Sequence, residues 1–133
     1  MEGTTGGMHT TSVVLADDDA RFRSIVRSLL ESDGYEVVAE AGNASETVEA
    51  AVRHEPDVVV IDLVLEGAYG LDTVQELVDL DAQRPVIVIS SLFDPLMERE
   101  TVRMGAWYLE KVEGVEALEH AIDQAVSVTH RGS

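Results

Sequence analysis

The chain has no cysteine among its 133 residues, so it can build neither a disulfide framework nor a thiolate nucleophile or metal ligand. Positive charge is almost as scarce. Nine lysines and arginines stand against 26 aspartates and glutamates, a formal net charge of -17. A surface of that sign repels phosphate backbones, so no direct contact with nucleic acid is expected. Aromatics are only 5% of the residues, which leaves an aliphatic interior as the means of folding. No apolar run approaches the roughly 20 residues needed to span a bilayer, and residues 1–11 lack the basic and apolar regions of a secretory signal. A soluble cytoplasmic protein without membrane contact is the expectation. The length leaves room for one core and not two.

What the chain does contain is a regular alternation of aliphatic runs and amphipathic stretches. Val13–Ala16, Tyr35–Ala41, Val58–Asp62, Val86–Ile89 and Trp107–Leu109 read as strands, and the third is an uninterrupted Val/Ile run of the kind buried on both faces. Between them, Phe22, Ile25, Val26, Leu29 and Leu30 recur at helical spacing. So do Val48, Ala51 and Val52, then Leu71, Val74, Leu77 and Val78, and finally Val115, Leu118, Ile122, Ala125 and Val126. Asn43 and Glu46 look like a capping box. Asp94 followed by Pro95 reads as an N-cap with proline at the first helical position, but the helix behind it has a thin stripe (Met97, Thr101, Met104) and should be the least firmly packed. The prediction is an α/β domain over 12–127: a doubly wound, five-stranded parallel sheet with five helices, flanked by a flexible leader (1–11) and a flexible tail (128–133). The flavodoxin-like strand order 2-1-3-4-5 is taken by analogy.

In that order the carboxyl ends of the strands, where α/β sheets collect their chemistry, bring together Asp17, Asp18, Asp62, Ser90 and Lys111. Two carboxylates about 4 Å apart repel by roughly 4 kcal/mol at an effective dielectric of 20, so the cluster calls for raised pKa values or a bound cation. The donors are all oxygens, and the four histidines show no metal-ligand spacing, which favours a hard ion such as Mg2+ over zinc. Lys111 is the sole lysine in the chain, the other eight cations being arginine. A compact ammonium at a strand end suits a phosphoryl oxygen better than a planar guanidinium does. Carboxylates, a metal, a hydroxyl and a lysine are the equipment for phosphoryl transfer to an aspartate. Asp62, alone at the end of the central strand, is the expected nucleophile.

These landmarks resemble, in order and from Val13 to about Val126, the receiver domain of two-component response regulators. The segment ending in Asp17-Asp18-Asp19 resembles the family's metal-binding acidic pair, and Val59-Val60-Ile61-Asp62 with its Gly67 and Gly70 loop resembles the phosphoacceptor strand. Ser90-Ser91 and Tyr108-Leu109-Glu110-Lys111 resemble the hydroxyl, switch-aromatic and lysine positions. The resemblance implies a non-enzymatic, single-domain regulator that takes a phosphoryl group from a histidine kinase or phosphotransfer protein onto Asp62. It also implies Mg2+ on Asp17, Asp18, Asp62 and the Val64 backbone carbonyl, a switch through Ser90 and Tyr108, and water access governed by Val64 and Leu92. The expected reader is a downstream protein, and a phosphorylation-dependent homodimer is compatible with the pattern. Three positions depart from it: Glu66 and Val112 replace usual prolines, and the Gly105–Lys111 segment is one residue short.

Other readings fare less well. A flavodoxin-type cofactor module would need a phosphate cradle where Asp17-Asp18-Asp19 stands. A phosphatase with an aspartyl nucleophile would want a second carboxylate at Val64. The remaining alternative is a receiver-like module that binds protein without being phosphorylated.

Overall fold

β-branched and leucine-rich runs with polar punctuation form five parallel strands: β1 (Ser12–Ala16), β2 (Glu36–Ala41), β3 (Val58–Asp62), β4 (Val86–Ser90) and β5 (Trp107–Glu110). The computed structural model describes residues 10–65 and 68–131. The strands lie in the spatial order β2-β1-β3-β4-β5, the expected one. Helices α1 (Ala20–Ser32), α2 (Ala44–His54), α3 (Gly70–Leu80) and α4 (Pro95–Arg103) supply the four crossovers, and α5 (Val115–Arg131) follows the last strand.

Strand periodicity divides the core in two. Val14, Ala16, Val59, Ile61, Val86 and Val88 face α2 and α3, with Tyr108, Met97 and Met104 at the margin. Val13, Leu15, Val58, Val60, Ile87 and Ile89 face α1 and α5. Each fully buried Val, Leu or Ile contributes about 1.5–3 kcal/mol, and nearly all of this burial is aliphatic, as the composition required. α4 is tied down least: Thr101 is its sole buried residue, and the Thr101 hydroxyl is buried with no hydrogen-bond partner among the described residues.

Several local expectations change. Ile25, Leu29 and Val52 are exposed rather than inward. On α1 the row Phe22, Val26 and Leu30, spaced by four, meets the sheet, and the flanking residues turn to water. On α2 the small residues Thr47, Ala50 and Ala51 make the contact, and Val52 lies one step beyond them. The capping box is shifted: the Asn43 side chain accepts from Glu46 N, but Glu46 Oε1 accepts from Gly42 N. The stretch after Asp62 pairs as a two-residue hairpin, Val64–Leu65 with Ala68–Tyr69, instead of an irregular loop. Of that loop, Glu66 and Gly67 lie outside the described residues, as does most of the expected leader. A Cβ at Gly70 would collide with the Leu63 carbonyl, so close backbone approach explains the glycine there. Finally, α5 runs through Arg131, where a tail was expected from 128, because no breaker precedes Gly132.

Away from the carboxyl ends of the strands, the Tyr35 hydroxyl donates to Asp123 Oδ1 at 2.6 Å and ties the start of β2 to α5. Burial and the neighbouring acids push this phenol's pKa up. Burial also pushes the nearby Glu119 carboxyl up to about 7, with Asp33, Asp123 and Glu116 adding to the rise. A carboxyl raised in the folded state holds its proton more tightly there than in the unfolded chain. Its contribution is therefore present below the ordinary glutamate range and lost as pH climbs towards 7. Glu119→Gln should melt about 3 °C above the native chain at pH 8 and at nearly the same temperature at pH 4.5. Thermal scans at the two pH values check this; an equal shift at both contradicts it.

Candidate functional site

Each site residue is placed by a strand end or by a turn with a reason to be where it is. Asp17 directly follows β1, and its N–H donates to the Ala41 carbonyl at 2.9 Å, extending the ladder by one bond. The side chain is fully buried. Its Oδ1 accepts from Asp19 N at 2.9 Å, and Arg23 clamps its carbonyl oxygen through Nη1. Asp18 is exposed. Asp19, the third acid of the run, is committed to capping α1 through Arg21 N and Phe22 N.

Asp62 ends β3 and is 7% exposed. Its Oδ1 accepts from Val64 N at 3.0 Å, and its Oδ2 accepts from Lys111 Nζ at 2.8 Å. The same ammonium lies 2.7 Å from Asp17 Oδ2, a close ion pair that leaves that oxygen without an aligned hydrogen bond. Lys111 opens a 3-10 turn, Lys111–Glu113, that periodicity did not announce. The short Gly105–Lys111 segment therefore still delivers the ammonium to both carboxylates.

Burial pushes the Asp62 carboxyl above the usual range. Hydrogen bonds from Lys111 and Val64 N offset part of the rise, and the charge on Asp17 adds to it. Burial disfavours the Lys111 charge as well, but Asp17 and Asp62 outweigh it and raise the ammonium's pKa. The strand ends thus trade charge in the way the sequence implied.

Asp17, Asp18 and Asp62 each offer a carboxylate oxygen, and these atoms lie within 4.8 Å of one another. An all-oxygen set of three clustered carboxylates suits a hard divalent cation. Ser90 ends β4, buried, with its hydroxyl donating to the Leu92 carbonyl at 2.6 Å. The Tyr108 hydroxyl reaches the same carbonyl at 3.4 Å. Val64 and Leu92, 63% and 78% exposed, stand at the rim. All of these except Tyr108 line an open cleft of about 470 Å³, joined by Asp94 and Met97.

Sequence reasoning missed two neighbours. Asp94 was read as the cap of α4, which it is, through Leu96 N and Met97 N; its place four residues after Ser90 on the same edge was the clue to the cleft. Phe22 was read as core alone, yet Lys111 Nζ sits 4.2 Å from its ring centroid.

The family model for the response regulator receiver domain matches residues 13–123. The chain belongs to that family. Among its relatives, the chemotaxis protein CheY of Bacillus subtilis is 32% identical over 94 residues, covering 71% of this chain and 78% of that one. The transcriptional regulatory protein PdtaR of Mycobacterium tuberculosis is 34% identical over 116 residues, covering 86% of this chain and 56% of that one. This chain spans little more than half the length of PdtaR. Among solved structures, a two-component response regulator of the LuxR family from Aurantimonas superposes with a TM-score of 0.84 at 28% identity, covering 90% of this chain and 86% of that one. Receiver domains are in general signalling modules rather than enzymes. In this receiver domain no described helix is long and apolar enough to cross a membrane.

Proposed function

We propose that this receiver domain is a phosphoacceptor: Asp62 takes a phosphoryl group from a histidine kinase or phosphotransfer protein, and a surface rebuilt by that event is read by another protein. The observation that carries this reading is the convergence on Asp62 of a bridging ammonium, 2.8 Å away, and two further carboxylates. Asp17, Asp18, Asp62 and the Val64 carbonyl would hold Mg2+, which supplies charge neutralisation for the transferring phosphoryl oxygens.

An Asp62 carboxylate oxygen attacks phosphorus. The new P–O bond forms as the P–N bond to the donor imidazole breaks, and the electron pair stays on that nitrogen. Lys111 keeps Asp62 ionised before transfer and faces a phosphoryl oxygen after it. The Ser90 hydroxyl, now on the Leu92 carbonyl, turns to another phosphoryl oxygen. That frees the acceptor it shares with Tyr108 and biases the thinly packed α4. Incubation with acetyl phosphate and Mg2+, followed by intact mass and phosphoprotein electrophoresis, tests the reading. One added phosphoryl group supports it. No addition leaves a receiver-like protein-binding module as the function.

The phosphoryl group should be long-lived. Hydrolysis needs water placed in line with Asp62, and the exposed rim side chains of Val64 and Leu92 are apolar and carry no group that could orient it. Replacing them together, Val64→Asn with Leu92→Glu, should speed loss of the phosphoryl group about tenfold or more. Decay of the label in Mg2+ checks this; unchanged decay would remove both residues from the water path.

A further inference from the structure

We infer that Phe22 is a positioning residue for Lys111, its ring holding the ammonium in the cleft when Asp17 and Asp62 are engaged elsewhere. The inference rests on the phosphoacceptor reading for its use, but on geometry for its existence. Among the described residues, Lys111 Nζ has three attractive neighbours: Asp17 Oδ2 at 2.7 Å, Asp62 Oδ2 at 2.8 Å and the Phe22 ring, centroid at 4.2 Å. A cation at that distance over a ring face is drawn by the ring's quadrupole, more strongly where water is kept away. The Lys111 side chain is only 17% exposed.

The three neighbours differ in what can take them away. Both carboxylates belong to the oxygen set that fits a divalent cation, and the Asp62 carboxylate loses its own negative charge to the mixed-anhydride bond of an acyl phosphate on phosphorylation. The ring is neutral, binds no hard cation and does not change. It is therefore the one contact of the three that persists through the proposed cycle.

Its placement is rigid. Phe22 lies in the first turn of α1, where its backbone N–H is fixed by the Asp19 cap. It borders a small apolar recess of about 50 Å³ with Val26, Ile89, Leu109 and Leu118. Phe22 is one of only two phenylalanines in the chain. The aromatic is spent where the sole lysine arrives.

That lysine makes the test direct, because lysine carrying 13C and 15N gives one side-chain spin system. In the native chain the Lys111 side-chain protons nearest Nζ should show an upfield ring-current shift that survives saturating Mg2+, and Phe22→Leu should abolish it. A series of ring-fluorinated phenylalanines at position 22 preserves shape while weakening the ring's negative face. Across it the rate of labelling by acetyl phosphate should fall progressively, to about 3- to 10-fold below native, and Phe22→Trp should restore it. Loss of the ring-current shift on adding Mg2+ to the native chain overturns the inference. So does a labelling rate that is flat across the fluorinated series, a readout independent of whether Phe22→Leu folds. A native chain that keeps the shift in Mg2+ yet is never labelled sinks the phosphoacceptor reading and leaves Phe22 as the holder of Lys111.

Discussion

Asp62→Asn is expected to abolish labelling by acetyl phosphate and, in metal-free buffer at neutral pH, to raise the melting temperature by about 2–6 °C, the shift that roughly 1 kcal/mol gives a domain of this size. The first effect follows from removing the attacking oxygen. The second follows from the sign of the carboxyl's shift. Burial raises Asp62 above its ordinary range in spite of Lys111, so the folded state holds this proton more tightly than the unfolded chain does. Stability from this group is complete below the ordinary aspartate range and falls as pH rises through its folded value. At neutral pH the ionised carboxylate is a net burden, and a neutral amide of the same shape relieves it. Labelling of the asparagine variant would move the acceptor elsewhere. A melting temperature below native would mean that the ion pair with Lys111 outweighs burial.

With Mg2+ present the ordering should reverse. A cation that binds only the folded arrangement stabilises it by about 2.7 kcal/mol at a hundredfold excess over its Kd, a rise of about 10 °C in a chain of this length. The relief is largest where repulsion is largest, among the three carboxylates within 4.8 Å of one another. Asp18→Ala is the sharper control, since Asp18 is exposed and its loss leaves both cores intact. That variant and Asp62→Asn should both show little response to Mg2+. A native chain that melts at the same temperature with and without the ion, or an Asp18→Ala chain that gains as much as native, removes the metal from this site.

The architecture was legible because it is written in periodicity. The run Val58–Asp62 could only be a central strand, and five such runs separated by amphipathic stretches leave few topologies. The acidic cleft was legible because strand ends are fixed points of the fold, and the strand order that brought Asp17, Asp62 and Ser90 together was taken by analogy, since alternation alone does not set it. Side-chain direction within a helix was harder. Ile25 and Leu29 match the α1 stripe as well as Val26 and Leu30 do, and only the width of the sheet beneath decides which are covered. The hairpin at Val64–Leu65 was illegible because two-residue strands have no period. The meeting of Phe22 with Lys111 joins residues far apart in the chain, on different elements. Pattern places each on its own element without setting the distance between them.

The single buried residue of α4 has a consequence for how the domain opens. Amides in β1, β3 and β4, sealed beneath helices on both faces, can meet solvent only when the whole domain unfolds. Those of Pro95–Arg103 need only the release of one helix whose buried hydroxyl gains a water partner on leaving. Hydrogen exchange should therefore sort the chain into a slow central sheet and a fast α4, with the amides of 96–103 exchanging at rates that vary little with denaturant. The element beside Ser90 and Tyr108 would then open and close many times during each global unfolding event.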